Sequence, residues 1–291
     1  MDYIKQFNDT ARSFNRYSEK TLDNYNVTYR QFQEYLDKDL IDVNRMDLES
    51  FINYLREKNG GKLSNSTINT KLSALDTLYQ YLFKNDIIEN NPVKKIERAK
   101  IEDKQLTVLD KTDIDKMINN CDNKRDKAII AFMFTTGCRI SEVVNADKTD
   151  IYQLPPSVDA EGMRFHVRSG KGSKDRMVFI PMNYFRYIHN YLEEREDDIP
   201  ALFISNRQQR IHKDTISYTL NKSKKKSDIR RPITPHTLRR TSATYLINND
   251  VDILAVSKQL GHSDVSTTDR GYVKYADKKR AENTLSAWSG D

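Results

Sequence analysis

Apolar residues spaced three and four positions apart dominate the first third of the chain, and this spacing restricts that part to amphipathic helices. The segment SEKTLDNYNVTYRQFQEYL carries one such stripe, formed by Leu22, Tyr25, Tyr29, Phe32 and Leu36. The segment TINTKLSALDTLYQYLF carries another, formed by Leu72, Leu75, Leu78 and Leu82. Residues at these intervals share one face of a helix. Each stripe therefore predicts a helix whose apolar face packs in a core.

A further helix is predicted between these two, over MDLESFINYL, so that three or four helices form a small bundle. Asp47 is the expected N-cap of this helix, and Asn65 or Ser66 the expected N-cap of the next one. Pro92 ends the periodic pattern, and the surrounding NDIIENNPVKKIERAKIEDKQL is mostly charged, as a solvated linker would be. At 291 residues the chain exceeds what one average core holds. We predict a helical domain over residues 1–97, a linker over 98–106 and a second domain over 107–291.

The second domain is predicted to be mostly helical. Asp110 or Thr112 can cap its first helix, and one long helix is expected over KAIIAFMFTTGCRISEVVNADKTDI. In MRFHVRSGKGSKDRMVFIP two alternating runs flank a glycine-rich turn, the pattern of a β-hairpin. The segments YFRYIHNYL, KDTISYTLNKS and TPHTLRRTSATYLINN indicate further helices, the last with Pro235 in its first turn. The expected fold class is mainly α with a small β-sheet.

Charge and cysteine content narrow the functional classes. The formal net charge is +6 and 31% of the residues are charged, so basic clusters that bind phosphate groups can coexist with acidic faces. Cys121 and Cys138 are too few for a secreted disulfide framework, and Met1 leads into polar sequence. No apolar run approaches the roughly 18 to 20 residues that a membrane span needs. We expect a cytoplasmic protein without membrane insertion.

Residues whose side chains could take part in catalysis are scattered through the second domain. They are Arg139, Lys171, His236, Arg239, His262 and Tyr272. Each alone has an ordinary explanation: a helix-end ion pair, a solvated turn lysine, a surface pair on one helix face, a packing histidine, or one of 16 tyrosines. Their order along the chain carries more information than any single residue does.

In that order they resemble the tyrosine recombinase family, also called the phage integrase family. The matching segments are TTGCRISEVVNADKTDI, SGKGSKDRMVFIP, TPHTLRRTSATYLI, LGHSDVSTT and DRGYVKY. The helices of the first domain resemble the family's core-DNA-binding domain. The resemblance implies a helical-bundle DNA-binding domain, an α+β catalytic domain, and a site-specific recombinase that acts through a 3′-phosphotyrosyl intermediate and a Holliday junction. A type IB topoisomerase and a catalytically silent DNA-binding regulator remain alternatives.

The resemblance also implies roles for the scattered residues. Arg139 and Arg239 would clamp the scissile phosphate, His262 would donate a third hydrogen bond, and His236 would share a proton with the tyrosine. Lys171 would protonate the 5′-oxygen leaving group. Tyr272 would be the nucleophile, with Tyr275 as the alternative. Arg240 occupies a position where many relatives carry histidine. No metal and no other cofactor is expected, because the acidic residues are scattered and neither cysteine has a ligand partner nearby in sequence.

The expected partner is a double-stranded DNA recombination site. Basic residues in the linker and before the catalytic helix are the candidate phosphate contacts: Lys94, Lys95, Arg98, Lys100, Lys222, Lys224, Lys225, Lys226, Arg230, Arg231 and Arg240. The resemblance further implies a tetramer on two DNA sites. The end of the chain has a weak apolar stripe, formed by Ala276, Ala281, Leu285 and Trp288. Whether that segment docks on a neighbouring protomer or on its own domain is left open.

Overall fold

The structure is a computed structural model that describes residues 2–58, 60–101, 107–168 and 175–261. The chain divides into two compact units, residues 1–104 and residues 105–291. The described parts combine many helices with one three-stranded antiparallel sheet. The predicted fold class, mainly α with a small β-sheet, is therefore confirmed. No helix within these residues is both long enough and apolar enough to cross a membrane.

The described part of the first unit contains four α-helices. They are α1 (Tyr3–Ser13), α2 (Glu19–Tyr35), α3 (Arg45–Lys58) and α4 (Asn65–Lys84). The two predicted stripes lie on α2 and α4 and face a common core, in which Leu22, Phe32 and Leu75 have no exposed surface. Two buried tyrosines tie the helices together: the Tyr29 hydroxyl donates to the Ala74 carbonyl at 2.9 Å, and Tyr79 donates to Leu40 at 3.0 Å.

The N-caps of α3 and α4 differ from the predicted ones. Ser64, in extended conformation, caps α4 by accepting the Thr67 N–H, so neither Asn65 nor Ser66 does so. At α3 the Asn44 side chain accepts the Met46 N–H, while the Asp47 carboxylate accepts the Asn44 N–H at 2.8 Å. An N-cap must leave the helical conformation just before the first turn. Asp47 already lies inside that turn and completes the cap from within.

The segment after α4 remains bound to the first unit at least as far as Ala99. Residues Pro92–Lys95 form a 3₁₀-helix that buries Pro92 and Val93. Asn69 on α4 then holds Ala99 through two hydrogen bonds: its amide donates to the Ala99 carbonyl at 2.8 Å, and its oxygen accepts the Ala99 N–H at 2.9 Å. Part of the predicted linker is thus fastened along α4.

The second unit surrounds a central helix. Its described elements are α5 (Lys111–Asn119), α6 (Lys124–Thr136), α7 (Ile140–Asn145), β1 (Ile151–Gln153), β2 (Gly162–Val167), β3 (Arg176–Pro181), α8 (Met182–Leu192), α9 (Lys213–Lys226), α10 (Pro235–Asn248) and α11 (Ile253–Leu260). Helix α6 is apolar nearly all round and buried along most of its length. Phe132 on α6 meets Phe165 of β2 edge to face, with ring centroids 4.9 Å apart. The sheet therefore packs on α6.

One prediction about this unit is corrected by the structure, and another is confirmed. The expected single long helix after Lys127 ends at Thr136, because Gly137 takes a left-handed conformation with φ +61°. The chain restarts as α7, and the end of the predicted helix becomes a 3₁₀-helix over Lys148–Asp150 and the first residue of the edge strand β1, Ile151. The predicted hairpin is present: β2 and β3 pair antiparallel from Gly162 opposite Pro181 to Val167 opposite Arg176. Its glycine-rich tip, residues 169–174, lies outside the described residues.

Candidate active site

The C-terminal end of α11 is bound by three arginines that are far apart in sequence. Arg176 donates from Nε to the Gln259 carbonyl at 2.9 Å, Arg239 from Nη2 to Leu260 at 2.7 Å, and Arg139 from Nη2 to Gly261 at 3.0 Å. The last carbonyls of a helix lack partners within the helix and carry partial negative charge. The end of α11 is therefore a natural binding point for cations, and it gathers these three guanidinium groups.

Gly137 makes this convergence possible from the side of α6. With φ +61°, it turns the chain sharply, and Arg139 follows two residues later as the N-cap of α7. A Cβ at position 137 would lie 2.6 Å from Cδ2 of Leu260, so α6 and α11 approach each other closely here. The Gly137 carbonyl accepts a hydrogen bond from Arg239 at 2.8 Å. The turn therefore places one arginine and helps to hold the other.

Arg239 is fixed in the interior, whereas Arg139 reaches the surface. Arg239 lies in the second turn of α10, which has Thr234 as its N-cap and, as predicted, Pro235 in its first turn. Its exposed fraction is 4%, and its guanidinium bridges the carbonyls of Gly137 and Leu260. The side chain of Arg139 is 42% exposed. The site therefore combines a rigid interior cation with a cation accessible to a ligand.

Glu142 joins Arg139 to Arg176. Its carboxylate accepts hydrogen bonds from both terminal nitrogens of Arg176, at 2.9 and 2.8 Å. It also accepts hydrogen bonds from the backbone N–H of Arg139 at 2.7 Å and from Nη1 of Arg139 at 3.0 Å. Burial alone would raise the pKa of Glu142. The hydrogen bonds from Arg176 and the Arg139 backbone outweigh burial and lower this pKa to about 2. The carboxylate is therefore ionised at neutral pH and orients both arginines.

His236 lies on α10, three residues before Arg239. Its side chain is exposed, and its pKa is lowered first by partial desolvation and then by the positive charges of Arg240, Arg239 and Arg139. A lowered pKa keeps the imidazole neutral at neutral pH, so that a ring nitrogen can accept a proton. Because residues three apart share one face of a helix, His236 and Arg239 lie on the same face of α10.

Of the six predicted catalytic residues, the structure brings together Arg139, His236 and Arg239. The other three, Lys171, His262 and Tyr272, lie outside the described residues. In sequence, His262 follows Gly261 directly, the residue whose carbonyl binds Arg139. Position 171 belongs to the tip between β2 and β3, and Arg176 opens β3.

Sequence reasoning missed Glu142 and Arg176, although both left a signal. Glu142 stands three residues after Arg139, the spacing at which a side chain at the start of a helix reaches back to its N-cap. Arg176 alternates in register with Val178 and Ile180, which are buried on the core face of β3. An arginine on the buried face of a strand requires a partner of opposite charge. The alternation along β3 was therefore a signal in the sequence that Arg176 needs an acidic partner.

The candidate phosphate contacts of the first unit are exposed, and some of them form hydrogen bonds or ion pairs within the unit. Lys94, Lys95, Arg98 and Lys100 are all exposed. Lys94 forms an ion pair with Asp76 at 3.0 Å, and Arg98 donates to the Asn69 carbonyl at 2.9 Å. A surface ion pair of this kind contributes little and can exchange for a phosphate. The four side chains lie along one stretch of chain on this unit.

In the second unit, too, some of the candidate basic residues are held in ion pairs. Lys222 and Lys226 on α9 both bind the Asp122 carboxylate, and Arg231 binds Asp113. The remaining candidates of this unit are half-buried or exposed: Lys224, Lys225, Arg230 and Arg240. Within the residues that the structure describes, no group of three or more histidine, cysteine or acidic side chains is arranged to hold a metal ion.

Comparisons with known proteins agree with this architecture. Residues 107–279 match the model of the phage integrase family, and residues 4–86 match the phage integrase N-terminal SAM-like domain. A tyrosine recombinase of Thermosipho africanus is 31% identical over 283 residues, which cover 95% of this chain and 96% of that protein. Tyrosine recombinase XerD of Oceanobacillus iheyensis is 29% identical over 267 residues, 86% of each chain.

Two solved structures resemble the chain over nearly its whole length. XerA recombinase is 26% identical, with a TM-score of 0.51 and 93% of each chain covered. XerH recombinase bound to a palindromic difH substrate gives a TM-score of 0.76 at 21% identity, covering 98% of this chain and 85% of that one. At 21% identity, the similarity to XerH recombinase is evidence for a shared fold.

Proposed function

The chain belongs to the phage integrase family, and on that premise we propose that Tyr272 attacks a DNA phosphodiester held by Arg139 and Arg239. The protein is a tyrosine-type site-specific recombinase. The curated relatives are named as tyrosine recombinases, which favours neither topoisomerase-like relaxation nor a silent regulator.

One observation supports the phosphate clamp above all others. Arg139 and Arg239, a hundred positions apart in sequence, donate to the adjacent carbonyls of Gly261 and Leu260. Attack on a phosphodiester increases negative charge on the non-bridging oxygens, and prearranged guanidinium groups stabilise that charge with fixed geometry. Arginine suits this task because its planar cation stays charged and can bind two oxygens at once.

The chemical step follows from these side chains. The Tyr272 oxygen forms a bond to phosphorus, and the bond from phosphorus to the 5′-oxygen breaks. The phenol has a reference pKa of about 10 and must lose its proton, which neutral His236 can accept. Lys171 gives a proton to the departing 5′-oxygen, which would otherwise leave as a high-energy alkoxide.

The products are a 3′-phosphotyrosyl bond and a free 5′-hydroxyl. Because the ester keeps the energy of the broken strand, a 5′-hydroxyl from another duplex can attack it and form a Holliday junction without ATP. The proposed reaction requires no metal ion.

Trapping on a nicked suicide DNA substrate tests the nucleophile. On a site selected from random DNA with the wild-type protein, Tyr272→Phe should abolish the covalent adduct and leave binding intact. Tyr275→Phe, the matched control, should retain the adduct. An adduct that persists in Tyr272→Phe would contradict the assignment.

We further propose assembly as a tetramer on two DNA sites. A related lambda integrase has been crystallised as a tetramer bound to a Holliday junction. The second unit has an apolar cleft of about 690 Å³, lined in part by Phe134, Phe179, Tyr245 and Leu246. A cleft of this size accommodates large apolar side chains. Leu285 and Trp288 of a neighbouring protomer are the proposed occupants.

Deleting residues 283–291 tests this assembly. The truncated protein should bind one half-site nearly normally but lose cooperative filling of the second. Phe179→Ser in the cleft should give the same defect, whereas Phe14→Ser, at an exposed position of the first unit, should not. Unchanged cooperativity in both the truncated protein and Phe179→Ser would exclude docking in trans.

A further inference from the structure

Arg176 stands at the base of the hairpin that carries Lys171, and its side chain is only 8% exposed. All three nitrogens of its guanidinium donate hydrogen bonds. Nη1 and Nη2 bind the two oxygens of Glu142 at 2.9 and 2.8 Å, and Nε binds the Gln259 carbonyl at 2.9 Å. This bidentate pair with an additional donor fixes the plane of the guanidinium, which lysine could not do.

The contacts of Arg176 lead directly to the phosphate clamp. The Glu142 oxygen that binds Nη1 of Arg176 also accepts Nη1 of Arg139, and its other oxygen accepts the Arg139 backbone N–H. The guanidinium of Arg176 also packs under the end of α11: a Cβ at Gly261 would lie 2.8 Å from its Nη1. Arg176 thus supports both Glu142 and the helix end whose Gly261 carbonyl holds Arg139.

From this geometry we infer that Arg176 is a positioning residue for the cleavage reaction, which sets the orientation of Arg139 through Glu142 and the C-terminus of α11. The inference rests on the proposed function, because it assigns Arg139 to the scissile phosphate. Arg176 touches no reacting atom in this scheme. It acts by preventing the exposed Arg139 guanidinium from moving away from the phosphate oxygens.

Arg176→Lys is the informative substitution, because it keeps the positive charge next to Glu142 and loses the fixed fork. Misplacing a catalytic group by about 1 Å can cost about 100-fold in rate, so single-turnover cleavage should fall about 10- to 100-fold. Half-site affinity should stay within about twofold of wild type, because the lost interaction concerns the transition state. The substrate is the selected site, prepared as a nicked suicide oligonucleotide.

Arg195→Lys is the matched control. Arg195 is also buried, with its side chain 5% exposed, and it is paired with Asp197 and with the carbonyls of Ile199, Ala201 and Leu202. Arg195→Lys should lower the stability of the protein without slowing cleavage by the folded protein. Thermal unfolding of each variant identifies the temperature at which cleavage is measured on folded protein.

Non-additivity distinguishes positioning from a general effect on folding. If Arg176 acts through Glu142, adding Arg176→Lys to Glu142→Gln should slow cleavage much less than Arg176→Lys does alone. Should Arg176→Lys fail to fold, the apolar pair Glu142→Leu with Arg176→Met replaces it, because removing both members of a buried ion pair is often tolerated. That variant should fold, bind the half-site and cleave slowly.

The outcomes separate this inference from the proposed function. If the wild-type protein forms no adduct on its selected site, the proposed function fails. If the wild type cleaves and Arg176→Lys, or the apolar pair, cleaves as fast, the inference alone is wrong. The inference would also be overturned if Arg176→Lys lost as much half-site affinity as cleavage rate. The same holds if Arg176→Lys slowed cleavage as much in the Glu142→Gln background as it does alone.

Discussion

Gly137→Ala tests whether the turn after α6 holds the site together. Two costs are expected. Position 137 has φ +61°, and the left-handed conformation costs a residue with a Cβ roughly 1–2 kcal/mol. The new methyl would also lie 2.6 Å from Cδ2 of Leu260, which has no exposed surface into which it could move. Overpacking of a core typically costs about 1–3 kcal/mol.

The sum predicts a loss of about 2–5 kcal/mol in the free energy of unfolding. Gly60→Ala is the matched control, since Gly60 has φ +59° and a Cβ there would meet no atom within 4 Å. It should lose only the backbone cost, about 1–2 kcal/mol. Urea unfolding followed by circular dichroism gives both values. The difference between the variants gives the cost of the new contacts at position 137, of which the contact with Leu260 is the shortest.

Cleavage should be affected along with stability. Displacing Gly137 or Leu260 moves the carbonyls that hold Arg239, so the folded fraction of Gly137→Ala should cleave more slowly than wild type. Leu260→Ala should partly rescue the stability of Gly137→Ala, giving a double variant less destabilised than the sum of the two. Equal destabilisation by Gly137→Ala and Gly60→Ala, or strict additivity with Leu260→Ala, would refute the close approach.

Four further outcomes are expected. Because the pKa of Glu142 falls from 4.5 to about 2 on folding, the stability that Glu142 contributes to the folded protein should be complete above pH 4.5 and lost as pH falls toward 2. In acid-unfolding titrations, Glu142→Gln should therefore lose less stability over this pH range than the wild type does. If His236 accepts the tyrosine proton, the acid limb of the cleavage profile should lie below pH 6.5, and Arg240→Gln should move it upward; an unmoved limb would contradict the role of Arg240. Tyr29→Phe should cost about 1 kcal/mol in urea unfolding, since it removes the buried bond to Ala74. A chelator should leave adduct formation intact, and a complete loss restored by Mg²⁺ would contradict the metal-free reaction.

Periodicity predicted those elements whose packing depends on one face. The stripes of α2 and α4 and the hairpin of β2 and β3 follow from where apolar residues must lie. The break at Gly137 was missed because α6 is apolar nearly all round after its charged first turn, and a helix without a polar face gives no periodic sign of its end. The glycine itself was the available signal, since glycine is the usual residue just beyond a helix C-terminus.

The acceptors of the arginines are harder to predict than the arginines themselves. The resemblance of the ordered segments to a known family identified Arg139 and Arg239, but their partners at the end of α11 are backbone carbonyls, which every residue type provides. Side-chain substitutions at Gln259 would therefore leave the acceptor for Arg176 in place. Gly261 differs, because its φ is +68° and a Cβ would lie 2.8 Å from Nη1 of Arg176. At that position alone among the three acceptors, the backbone contact imposes a demand on residue type, and glycine meets it.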